Sequence, residues 1–152
     1  MKAILRILLI ALILICAVAF LSGSPEPPAV TVKSAEGSAK AVLFGYHWSR
    51  GWSHAITDTM HPLEAKDLLP CVTAPDGKVT VSAGRKPDGI SAEYWAWDET
   101  FTGENVSGIS LPVSDLTAVL PEGDWVVCFH LRWEEKWIHG YADYAVEVRS
   151  GG

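Results

Sequence analysis

The chain contains no CxxC, HxxxH, HExxH or GxSxG segment. The first three absences remove the common spacings that hold zinc, and the fourth removes the nucleophile elbow of a serine hydrolase. Five histidines are present, with His47, His54 and His61 spaced at seven residues and Cys128-x-His130 on one strand face. A metal needs three or four convergent ligands, and that seven-residue interval fits no ligand cadence on mixed strand and loop. We therefore expect no metal and no cofactor. Ser53, His54 and Asp58 are close in sequence, which carries no triad meaning because triads converge from distant segments. Asp98-Glu99 and Glu134-Glu135 are adjacent carboxylates. Neighbours on a strand point to opposite faces, so neither pair is a glycosidase couple. The expectation is a protein that is not an enzyme; a small cell-envelope hydrolase is the alternative.

A basic run is also missing. All 18 acidic residues lie beyond residue 24, with ten of the 12 basic ones. Such a surface excludes nucleic acid as a partner and argues against docking on anionic lipid by charge. Cysteine is scarce too, at three residues. Cys16 belongs to an apolar segment, and Ile15 before it is too bulky for a lipid-attachment site. Cys71 and Cys128 remain, and both a bridge and two free thiols fit.

What is present begins with Lys2 and Arg6, followed by an apolar run from Ile7 to Leu21 broken only by the Cys16 thiol. About 15 apolar residues sit at the top of the signal-peptide range and just short of a comfortable membrane span. Basic residues on the N-terminal side place that end in the cytoplasm and the remainder outside. Residues 1–24 are thus a signal-anchor or a signal peptide, and both readings stay open. The chain is expected at the cell membrane as a single-pass protein with its C-terminal domain outside, or secreted if the segment is cleaved.

Residues 25–38 form a Pro-rich spacer (Pro25-Glu26-Pro27-Pro28) and a first strand, and residues 39–150 a single domain. Period-two alternation marks strands over Gly77–Ala83, Gly89–Trp97, Asp124–Trp133 and Ala142–Val148, with an apolar run over Ala39–Trp48 and weaker strands at Gly108–Leu111 and Leu116–Leu120. In the clearest, Trp125, Val127, Phe129, Leu131 and Trp133 share one face. Pro75-Asp76-Gly77, Pro87-Asp88-Gly89 and Pro121-Glu122-Gly123 each precede a strand with turn chemistry. One helix is expected, from His61 to Leu69, opened by Pro62 and ended by Pro70. The fold class is all-β: an antiparallel immunoglobulin-like sandwich of about 7–8 strands after one N-terminal hydrophobic helix.

Seven tryptophans are many for this length. Trp125 and Trp133 have a core-facing register. Trp48 and Trp95 are the candidate ligand-binding residues: Trp48 ends a long strand, and Trp95 stands on the polar Ser91–Glu93 face. Exposed aromatics on a sandwich can stack on sugars or grip a peptide. Packing beneath the Ser53–Cys71 segment is the competing explanation.

Tyr46-x-Trp48, His61-Pro62-Leu63-Glu64, Pro87-Asp88-x-Ile90, Leu120-x-x-Gly123-x-Trp125 and Gly140-x-Ala142-x-Tyr144-x-Val146 together resemble a family of small secreted or membrane-anchored β-sandwich ectodomains of Gram-positive bacteria. Members are sometimes associated with BlaR-type sensor-transducers. The resemblance implies an extracytoplasmic binding, sensing or envelope-associated module, with a protein or cell-wall ligand, and carries over no active-site residues. An aromatic-platform carbohydrate-binding module is a further alternative.

Overall fold

The computed structural model describes residues 2–22, 25–58, 60–103 and 107–151. A helix, α1, covers Lys2–Ser22. Its described side chains, from Ile4 to Ala19, are all exposed. That stretch is about 24 Å of helix against a hydrocarbon core of roughly 30 Å. Among the described residues no helix is long and apolar enough to cross a membrane.

Beyond the spacer lie β1 (Val30–Lys33), β2 (Ser38–Lys40), β3 (Val42–Arg50), β4 (Ser53–Thr57), β5 (Cys71–Ala74), β6 (Lys78–Ala83), β7 (Gly89–Ala96), β8 (Ile109–Leu111), β9 (Val113–Ser114), β10 (Thr117–Val119), β11 (Gly123–Glu135) and β12 (Ile138–Ser150). They form an all-β sandwich: a five-stranded sheet ordered β2-β1-β6-β10-β9 and a seven-stranded sheet ordered β4-β3-β12-β11-β7-β8. β5 lies parallel to the end of β12, the one departure from antiparallel pairing among the described strands.

Twelve strands replace the expected 7–8 for identifiable reasons. The run Ala39–Trp48 is two strands. β2 pairs with β1 in one sheet, the chain crosses at Ala41, and β3 continues in the other sheet. β4 and β5 are short strands for which the sequence pattern gives no assignment; β4 pairs with the second half of β3 and β5 with the end of β12. The 61–69 segment is a 3₁₀ helix over Pro62–Leu68, not an α-helix, with Ala65 non-helical inside it. His61 caps it: the Leu63 N–H donates to His61 Nδ1, and the His61 N–H donates to the Glu64 carboxylate.

The expected registers of β6, β11 and β12 hold. Val79, Val81, Val127, Phe129, Leu131, Trp133, Ala142, Tyr144, Val146 and Val148 are buried between the sheets. Trp125 is only half-buried, edge-on to Tyr94 at 5.0 Å. Polar atoms of buried aromatics find carbonyls, as they must: Tyr144 donates its hydroxyl to Pro28 O at 2.6 Å and Trp133 its indole N–H to Arg85 O at 3.1 Å. Burial also pushes the Tyr144 phenol well above its usual range.

Candidate functional site: the open half of the seven-stranded sheet

The outer face of the seven-stranded sheet divides in two. On one half the 3₁₀ segment seals a second apolar cluster of Phe44, Leu63, Leu69, Trp95, Val126, Cys128 and Ala145. Lys66 fastens this cap by donating to the carbonyls of Trp97 and Glu99. Nothing among the described residues caps the other half. There β7, β11 and β12 present Ser91, Glu93, His130, Arg132, Tyr141 and Asp143, and a concavity of about 550 Å³ lies over most of them.

Register explains the convergence. His130 stands directly opposite Asp143 on β12, and Glu93 on β7 lies opposite Cys128, one diagonal step away. His130 Nδ1 is 2.7 Å from Asp143 Oδ1 and His130 Nε2 is 3.2 Å from Glu93 Oε1. The imidazole is thus held at both nitrogens by carboxylates from two neighbouring strands. Its pKa is raised, chiefly by the hydrogen bond to Asp143; burial opposes the rise, and the charges of Asp143 and Glu93 add to it. An imidazolium suits this place, because both ring nitrogens then donate.

His47 meets Tyr141 edge-on at 5.8 Å. His54 pairs with Ser49, and His139 with Glu134. By the pleat, His47, His54, His130 and His139 all lie on this one outer face. His61 belongs to the cap beside it, stacked on Phe101 and edge-on to Trp95. The scattered spacing in sequence therefore gathers on one side of the molecule. No group of three or more His, Cys, Asp or Glu among the described residues could hold a metal ion.

Trp48 and Trp95 are not brought together, and neither faces solvent; each is 2% exposed. Trp48 lies between the sheets, edge-on to Trp133 at 5.0 Å. Trp95 lies beneath the cap, which explains a tryptophan on a polar strand face. Tyr141 supplies the open aromatic surface instead. Trp52 and Trp137, at hairpin turns, are 70% and 54% exposed. The useful sequence signal was position in a two-residue turn, where a side chain has no opposing sheet to pack on.

Both domain cysteines are free. Cys71 is paired with Glu147 across β5 and β12, whereas Cys128 sits on β11, one strand further. Two strand spacings are about 10 Å, beyond disulfide reach. Burial foremost raises both thiols, Cys128 strongly, so neither is an activated nucleophile. No protein-family model, curated protein or solved structure matches this chain.

Proposed function

We propose that this chain is a non-catalytic extracytoplasmic binding or sensing module, held at the cell membrane by its N-terminal segment, whose ligand seats on the open half of the seven-stranded sheet. The observation that carries this reading is the concavity over Ser91, His130, Arg132, Tyr141 and Asp143. It combines an exposed aromatic ring, charges of both signs and a hydroxyl, a lining suited to a polar envelope ligand such as a cell-wall fragment. The tether reading rests on the sequence, in which the apolar run extends from Ile7 to Leu21. It agrees with what the resemblance to membrane-anchored ectodomains implies.

Convergence of Glu93, His130 and Asp143 favours a second reading, the envelope hydrolase. Against it, a general base needs one imidazole nitrogen free to face a nucleophile, and Glu93 already occupies Nε2. The test is to incubate the detergent-solubilised full chain with soluble peptidoglycan fragments and follow binding and product formation together. Saturable binding without turnover, lost in Arg132→Ala/Tyr141→Ala at unchanged melting temperature, is the expected result. Turnover that vanishes in His130→Ala establishes the hydrolase instead.

A further inference from the structure

Each sheet ends in edge strands, and most of these edges are protected. β2 is three residues long and ends on Lys40, β9 is two residues long, and β8 is three residues long and is followed by Pro112. Short strands, lysine and proline are how native sheets discourage pairing with a further strand. The outer side of β5 is covered by the β1–β2 turn, where Ser34 Oγ donates to Thr73 O at 2.6 Å. β4 has none of these devices. It runs five residues, Ser53-His54-Ala55-Ile56-Thr57, with no charge, proline or bulge, and among the described strands it pairs with β3 alone.

The surroundings of this edge are apolar. Ile56 is 66% exposed beside His47 on the outer face, and Met60, just beyond the strand, is exposed as well. A row of main-chain N–H and C=O groups along an edge is completed by another extended backbone, so the occupant is a strand. Charge decides which strand. The domain as a whole is acidic, yet β4 carries no charge, so a second copy meets no like charge along it. An antiparallel match centred on Ala55 sets His54 of one copy opposite Ile56 of the other, and Asp58 opposite Trp52. Asp58 therefore never faces its own counterpart.

We propose that β4 pairs antiparallel with β4 of a second copy of this chain, about a two-fold axis through Ala55, joining two seven-stranded sheets into one. The contact is small, so the dimer forms with rising concentration rather than being obligate. Residues directly opposite each other in antiparallel strands point to the same face, so both open sheet halves lie on one side of the joined sheet. With β3 and β4 between β12 and the seam in each copy, the two β12 strands stand about 24 Å apart. A repeating polymer seated on the open half would then engage both copies and gain avidity. That consequence rests on the ligand reading above; the pairing itself does not.

Sedimentation equilibrium of the full chain in density-matched detergent tests the pairing without any ligand. The expected result is a reversible monomer–dimer equilibrium. Ile56→Lys weakens it at least about tenfold, because a lysine must be desolvated at the seam, while the melting temperature of the monomer is unchanged. Ile109→Lys, on the opposite edge strand β8, leaves association as it was. The double variant His54→Glu/Ile56→Lys sets opposite charges face to face across the seam and restores the dimer. A wild-type chain that stays monomeric at every concentration overturns the proposal and leaves β4 to an extended segment of another protein. A dimer that Ile56→Lys leaves intact overturns it as well, and assigns association to another part of the chain. A dimer that the double variant fails to restore overturns the register about Ala55, and the pairing with it.

Discussion

Trp133 and Trp52 are the same residue type with opposite consequences. Trp133 is fully buried with its N–H satisfied, so Trp133→Ala should cost about 3–5 kcal/mol. Trp52→Ala should change stability by less than about 0.5 kcal/mol. Thermal melts that rank them the other way round would mean the β11 and β3–β4 registers are misassigned. Burial of Trp48 and Trp95 makes the same point about the site: the sequence placed both near a ligand, and the cap that hides Trp95 comes from a segment some thirty residues away, a contact no local pattern reports. His130 sets a pH dependence. Its folded pKa lies above the ordinary value, so its contribution is fully present below about pH 6.5 and is lost as pH rises through the folded pKa. The difference in melting temperature between wild type and His130→Gln should therefore be larger at pH 5.5 than at pH 8.5. An equal difference at both would mean His130 is not held as an imidazolium. Cys71 should react with a thiol reagent in the native state, and Cys128 only after unfolding.

Strand by strand, the elements that were legible are those with one buried and one wet face. β6, β11 and β12 alternate because their inner side chains meet the opposite sheet, and that constraint is local. β4 is an edge strand whose side chains are mostly exposed, so it carries no core signature. β5 is four residues long and gains its place by lying along β12. The cap became 3₁₀ because Pro62 and a short span leave room for only two tight turns before Pro70. None of Glu93, His130 and Asp143 stood out as a group, since their meeting depends on the order β7-β11-β12, which alternation does not encode. Gly140 tests the pairing of β3 with β12. Its φ is +151°, and an added Cβ would come within 2.1 Å of His47 O. Gly140→Ala should cost about 2–4 kcal/mol, because backbone rather than a flexible side chain must move. A neutral substitution would contradict that register.

At the scale of the whole molecule, the sandwich spends one face of its seven-stranded sheet unevenly. Half is covered by a chain segment and behaves as core; the other half keeps its polar and aromatic side chains in water, where a cap of the same kind would bury them at a cost. All five histidines mark this division, four on the open half and His61 on the cap. Imidazole resonances of the full chain therefore report directly on where a ligand seats. Titration with soluble peptidoglycan fragments, followed by NMR of the five histidine rings, should shift His130 and His47 together, with His139 and His54 moving less and His61 unchanged. Saturable binding that moves His61 while leaving His130 and His47 in place would put the ligand on the cap and not on the open half of the sheet.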